Sequence, residues 1–366
     1  MTRRWADNPN AAYYLAVQAG VPAMAEGGTG EAKSQAGGLA LARALGKKFV
    51  LLIGSACSDT DFAGFPSPDK KLPYMPMIPT KKMYDCINEP CLLFIDEATA
   101  VDGTRRAPMM SIFTERQMGD YELHPDTLIA GACNPPDVCP NGSPFEPAMC
   151  NRFYHHEWQL PFEDWAEGMV NKHNWSDPAI PVLPADWRLS CDRWDVIITG
   201  FLRKNPKMKK QIPTEDGQKS FSTLRAHTNL ALALGAADAC NAPTSIHSQL
   251  IDGLVGEVCN GELMAYYAAL DLCDPEEVLD GNISYTYDEK QYSQAACLTH
   301  ALLACLSAKM SPTRFENGMK ALCDIGDGNV ELVIEPFRRL LTMIPDGHAI
   351  KASLQKRTYS LLSRLK

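Results

Sequence analysis

The residues with the most obvious chemical potential lie early in the chain, at Gly27-Gly28-Thr29-Gly30-Glu31-Ala32-Lys33-Ser34, followed by Gln35. A glycine-rich turn frees backbone N–H groups to wrap phosphate oxygens. A lysine and a hydroxyl then follow at the mouth of a helix, as in the pattern G-x-x-x-x-G-K-[ST]. Gly27 fills the first position and Lys33-Ser34 the last two. Lys33 is suited to the β- and γ-phosphates of a nucleotide, and Ser34 to a Mg²⁺ ion. Ala32 stands where the second glycine belongs. The expectation is that this position opens the helix with negative φ, where alanine is the best helix former. Glu31 is out of keeping, because a carboxylate near phosphate is repulsive unless it points away. The plain alternative is a glycine-rich turn that happens to contain Lys-Ser.

Four further signals follow in order. Leu92-Leu93-Phe94-Ile95 is an apolar run closed by Asp96-Glu97. Asp96 at a strand end can hold the shell of a Mg²⁺, mainly through water, and Glu97 can polarise an attacking water. Ile129 to Cys133 leads to Asn134, whose amide could orient that water; a turn before Pro135-Pro136 is the simpler reading of the same residue. Arg152, within Asn151-Arg152-Phe153, could reach the γ-phosphate of a neighbouring subunit, and Arg225 could contact nucleotide in its own subunit. For either arginine alone, a surface ion pair is the commoner explanation.

These residues need elements that bring them together. Val21–Glu26, Phe49–Ile53, Cys91–Ile95 and Leu128–Ala132 read as strands, and the last three are continuous apolar runs of the kind found in buried parallel sheets. Helical patterns at 11–20, 34–45 and 107–117 alternate with them, and 54–80 reads as loop with at most short helices. Such alternation predicts a parallel α/β sheet with the candidate residues at one edge. Beyond Pro161 helical periodicity dominates. Leu250, Leu254 and Val258 recur at i+4 steps, as do Leu298, Leu302 and Leu306; Leu354, Leu361 and Leu365 continue near the end. The expected division is an α/β core at 1–160, an α-helical lid at 161–280 and a helical C-terminal module at 281–366.

In this order the signals resemble those of the AAA+ ATPases, and most of all the MoxR branch. The similarity lies in the loop ending Gly30-Glu31-Ala32-Lys33-Ser34, in LLFIDE, in GACNPP, in Asn151-Arg152-Phe153 and in Phe221-x-x-x-Arg225. Asp61-Phe62-Ala63-Gly64-Phe65-Pro66 is similar to the loop that such proteins turn toward a central pore. Residues 119–127 resemble their hairpin insert, and Leu254-Val255-Gly256-Glu257 their lid. The resemblance spans about residues 10–280. Ser222-Thr223-Leu224 departs from it, standing where Pro-Arg is more usual. The resemblance implies Mg-dependent ATP hydrolysis between subunits of a ring, typically a hexamer. It also implies a partner carrying a von Willebrand factor A domain, and remodelling or activation of a protein substrate.

Composition sets outer bounds. The chain has 366 residues, 45% apolar and 22% charged, which is ordinary for packed domains. A net charge of −9 argues against a protein that mainly coats nucleic acid, which needs a basic surface. No apolar window approaches the length of a membrane helix, and nothing after the first arginines resembles a signal peptide, so a cytoplasmic protein is expected. Thirteen cysteines without a CxxC pair read as reduced, mostly buried thiols rather than a metal site. His155-His156 invites a metal reading, but neighbours on a strand face opposite ways. Residues 203–219 read as an exposed basic loop. Trp158, Trp165, Trp175, Trp187 and Trp194 read as core or interface anchors for the lid.

Overall fold

The computed structural model describes residues 5–363 apart from 70, 136–143, 173–175, 212, 214–217, 271 and 346. Five strands form one sheet: β1 (Ala23–Glu26), β2 (Lys48–Ile53), β3 (Cys91–Asp96), β4 (Leu128–Cys133) and β5 (Tyr154–Glu157). They lie in the order β2-β3-β4-β1-β5, and every pairing is parallel. The apolar runs explain the middle of the sheet. Cys91 to Ile95 have no exposed surface, as a strand covered on both faces requires. Edge strand β2 alternates instead, with Val50 and Leu52 buried and Ile53 exposed. The four expected strands, three of them apolar runs, are present. The fifth, Tyr-His-His-Glu, has no such run; its inward Tyr154 and His156 are buried against the Ala11–Gln18 helix side of the sheet.

The chain divides into two compact units. The first comprises 1–183, 210–233 and 240–260. It contains the sheet and the helices Ala11–Gln18, Gly103–Glu115 and Thr244–Val255, with a core that includes Met24, Leu93, Ile95, Phe62, Met109, Ile112 and Phe153. The stretch expected as loop holds a short helix, Asp59–Ala63, and a two-stranded ribbon in which Phe65 pairs with Ile78. Gln117–Met118 and Tyr121–Glu122 form a small hairpin that turns at Gly119-Asp120, at the start of the 119–127 stretch and ahead of the turn at His124-Pro125-Asp126 where the sequence suggests one.

The second unit comprises 184–209, 234–239 and 261–366, and its described elements are helices. Tyr292–Ala308, Pro312–Gly328, Ile334–Thr342 and Ala352–Ser363 enclose a core of their own. Leu298, Leu302, Leu306 and Leu361 are buried in it, as their spacing predicts; Leu365 lies outside the described residues. One periodicity does not hold. Gly256, at φ 86°, ends the Thr244–Val255 helix, so Val258 belongs to the next helix and is 68% exposed.

Candidate functional site

In a parallel sheet all strand ends of one kind lie at one edge, and register fixes how closely. Glu26 is level with Cys133 across β1 and β4, so Gly27 and Asn134 are the first residues beyond the edge on adjacent strands. Ile95 is level with Gly131, which brings Asp96 and Glu97 to the same edge one strand further on. The Lys33 ammonium joins two of these elements. It donates to the carbonyls of Gly27 at 2.7 Å and Gly28 at 2.6 Å, and to Asn134 Oδ1 at 3.0 Å. Burial lowers the pKa of this ammonium, and the charges of Glu31 and Asp96 work against that shift. The structure therefore puts Asn134 on Lys33.

The turn before Lys33 differs from expectation. Ala32 has φ 53° and ψ 28°, in the left-handed region, and does not open the helix with negative φ. The second glycine of the pattern is a positive-φ position, and alanine there costs about 1–2 kcal/mol. The helix that follows is also unusual. Lys33–Ala40 is a π-helix, a wider form found mostly at functional sites. Aromatic residues brace it: Tyr14 Oη donates to Ala36 O at 3.1 Å and Tyr13 Oη to Gly37 O at 3.4 Å. Gly37 and Gly38 admit this packing, since a Cβ at Gly37 would meet the Trp158 ring at 3.1 Å and one at Gly38 the Phe49 ring at 2.7 Å. Trp158 thus walls the phosphate-type loop, and its Nε1 donates to Glu31 O at 2.9 Å. It is buried, as the core reading of these tryptophans expects. Trp165 is largely exposed, Trp194 is buried in the second unit, and Trp175 lies outside the described residues.

At the end of β3 the backbone turns sharply, and Glu97 has φ 52°. Asp96 Oδ1 accepts from the Glu97 N–H at 2.9 Å. The Glu97 carboxylate accepts a hydrogen bond from the Ser55 hydroxyl, just past the end of β2. Gly54 makes that approach possible, because a Cβ there would meet Val101 at 2.8 Å and the Glu97 carbonyl carbon at 3.1 Å. Ser55 has no sequence signal beyond its place after an apolar strand.

A second group of charges was not legible in the sequence. Glu26, the last residue of β1, has its carboxylate between His155 Nδ1, at 2.8 Å, and Lys219 Nζ. His155 Nε2 faces the Cys150 carbonyl at 2.9 Å. Both ring nitrogens thus face oxygen atoms. Burial alone would raise the Glu26 pKa; His155 and then Lys219 more than offset it and hold the carboxyl below its ordinary range. Lys219 belongs to a segment expected to be an exposed basic loop, yet it ties that segment to the base of the phosphate-type loop. His156 points the other way, with Nε2 on Asn10 Oδ1 at 3.0 Å and Nδ1 on the Tyr154 hydroxyl at 3.2 Å. The two histidines are on opposite faces, and no metal-binding cluster is present among the described residues.

Asn151 docks a later segment onto this region. Its Nδ2 donates to Phe221 O at 3.1 Å and its Oδ1 accepts from the Thr223 hydroxyl at 2.6 Å. As a result Arg152 and Arg225 are neighbours. Burial lowers the pKa of the Arg152 guanidinium, Arg225 lowers it further, and Glu115 opposes both. Arg152 Nη1 donates to Ala148 O at 2.8 Å, while its Nε is buried without a hydrogen-bond partner among the described residues. Arg225 is exposed at the start of the Leu224–Ala239 helix.

The donor set fits a Mg–nucleotide in most respects. Glycines line the cradle, an ammonium lies within it, a serine hydroxyl follows, and Asp96 is close enough to act on Lys33. Glu31 is the exception, because its carboxylate lies against Gly27 and Gly28. No family model matches the chain, and no curated protein does. Among solved structures, it is similar to a Cytophaga hutchinsonii protein named a putative ATPase. Identity is 13% over 68% of this chain and 79% of that one, with a TM-score of 0.43. A likeness of that size carries no weight beside the strand order and register. Those define an α/β fold, a five-stranded parallel sheet flanked by helices, with a helical C-terminal portion.

Proposed function

We propose that this chain is a Mg-dependent ATP hydrolase of the MoxR-like AAA+ kind. In this reading it works as a ring, typically a hexamer, with ATP at subunit interfaces, and remodels or activates a protein substrate. A protein with a von Willebrand factor A domain is the expected partner, and residues 161–280 act as the lid. The observation that supports this most is the shared strand edge, where Lys33 bonds both the glycine loop and Asn134 one strand from Asp96-Glu97. The bound Mg²⁺ would supply charge neutralisation at the phosphates. Lys33 and Ser34 hold phosphate and metal, Asp96 completes the metal shell, and Glu97 activates water. The bond from Asn134 to Lys33 supports a role in orienting that lysine as well as water. Arg152 acts on a neighbour's γ-phosphate and Arg225 on the nucleotide of its own subunit.

Steady-state phosphate release at saturating ATP tests this. Glu97→Gln should abolish turnover and retain ATP binding, whereas Lys33→Ala should lose binding. Arg152→Ala should lower hydrolysis and spare binding. Turnover by Glu97→Gln at the wild-type rate would remove Glu97 from the mechanism. A second reading, a nucleotide-gated scaffold with little turnover, draws on the strained Ala32 and the placement of Glu31. It predicts assembly on ATP without phosphate release, with or without a partner.

No helix among the described residues is long and apolar enough to cross a membrane. The net charge of −9 disfavours a DNA-acting motor, and stimulation of hydrolysis by DNA at physiological salt would revive that option.

A further inference from the structure

Glu31 has three properties that belong together. A Cβ placed on Gly27 would meet Glu31 Oε2 at 2.6 Å, and one on Gly28 would meet Oε1 at 2.9 Å. The carboxylate thus fills the space that two glycines leave free, and the residue is half-buried. Its Oε2 is buried with no hydrogen-bond donor among the described residues. Its backbone is fixed on both sides, by the Trp158 Nε1 bond to its carbonyl and by the left-handed turn at Ala32. Lys33 bonds the carbonyls of those same two glycines and feels the Glu31 charge, so an anion and a cation of this chain share the loop.

A carboxylate that is merely a surface acid would find water. One that closes the loop for stability would find donors, since a buried carboxylate oxygen without a donor costs free energy. Glu31 does neither. We infer that Glu31 is an affinity-setting residue. Its carboxylate occupies the hollow beside Gly27 and Gly28 as an internal anion, and a polyphosphate must displace it to bind. Leaving the loop returns the carboxylate to water, which offsets part of the cost of displacement. This rests on the nucleotide-binding reading above and adds to it a residue that weakens the resting affinity.

The test is calorimetric titration of the full-length protein with Mg-ATP and, separately, with inorganic tripolyphosphate. Wild type is compared with Glu31→Gln, which keeps volume and removes charge, and with Glu31→Ala, which removes both. Circular dichroism spectra establish that each variant is folded. Both variants should bind ATP and tripolyphosphate on the order of tenfold more tightly than wild type, the scale of one removed like-charge contact in a partly screened site. The gain should be similar for the two ligands, because Glu31 acts on the phosphates alone. Tightening by Glu31→Ala only would support displacement through volume. If wild type binds ATP and neither variant binds more tightly, the inference fails while the nucleotide reading stands. If none of the three binds either ligand, both fail.

Discussion

The carboxylate of Glu26 offers the most direct check that the base of the phosphate-type loop is held as described. Glu26 directly precedes Gly27 and joins three segments: β1, β5 through His155, and the 219–223 stretch through Lys219. Replacing it by Gln removes the charge with little change in volume. The Glu26 and His155 side chains are 16% and 7% exposed, so their charge-assisted bond should contribute about 2 kcal/mol, within the usual range for such bonds. The Lys219 side chain is 41% exposed, and solvent screening brings its share to about 1 kcal/mol or less. Glu26→Gln should therefore cost about 2–3 kcal/mol of unfolding free energy, read as a lower urea midpoint with unchanged slope. A double-mutant cycle with Lys219→Met should give a coupling near 1 kcal/mol, and the same variant should bind ATP more weakly. The pH dependence has a definite sign. The folded pKa of Glu26 lies below 4.5, so its contribution is complete above 4.5 and is lost as pH falls through the folded value. Glu26→Gln should remove that part of the acid loss. A destabilisation below about 0.5 kcal/mol, or coupling within the error usual for independent sites, would show that the cluster does not hold the loop.

Two further predictions rest on packing and burial in the same unit. A Cβ at Gly253 would overlap the Tyr154 ring and the His155 carbonyl, so Gly253→Ala should destabilise by about 3 kcal/mol or more, measured by urea unfolding. A near-neutral result would mean that the Thr244–Val255 helix does not pack on β5 through this residue. His156 is buried neutral, and burial pushes its pKa down from 6.5 to about 4. The folded state thus binds fewer protons than the unfolded one, and stability should fall by up to about 3 kcal/mol as pH drops from 6.5 to 4. His156→Gln should flatten that slope in a series of unfolding midpoints against pH.

The sequence exposed what is local. Apolar runs located three strands because a strand covered on both faces needs apolar residues along its length. It exposed the order of Lys33, Asp96-Glu97, Asn134 and Arg152 because each lies just past such a run or turn. It did not expose partners brought from afar. Lys219 pairs with Glu26 across 193 positions of chain, and Asn151 draws Arg225 to Arg152 through bonds to Phe221 and Thr223. β5 lacked an apolar run because its inward residues, Tyr154 and His156, are polar groups satisfied by each other and by Asn10. Ala32 misled for a different reason. Helix propensity treats it as the first residue of a helix, whereas the loop needs one more residue of positive φ before the helix can start.

That residue and Glu31 depart from the glycine-loop pattern side by side, and the geometry relates them. Ala32 resists the left-handed region that glycine enters freely, so whatever holds it there must act on its neighbours. The Trp158 indole on the Glu31 carbonyl is one such hold, and it fixes the direction in which the Glu31 side chain leaves the backbone. A glycine at 32 would keep the turn at lower cost while widening the choice of backbone angles beside it. Ala32→Gly should therefore raise unfolding free energy by about 0.5–1 kcal/mol, the relieved strain of about 1–2 kcal/mol less the greater entropy that glycine gives the unfolded chain. It should also tighten ATP binding, because Glu31 gains freedom to leave the loop. If both effects act through Glu31, the double variant with Glu31→Gln should bind no more tightly than Glu31→Gln alone. Fully additive gains in affinity would mean that the strain at Ala32 and the charge of Glu31 act on phosphate separately.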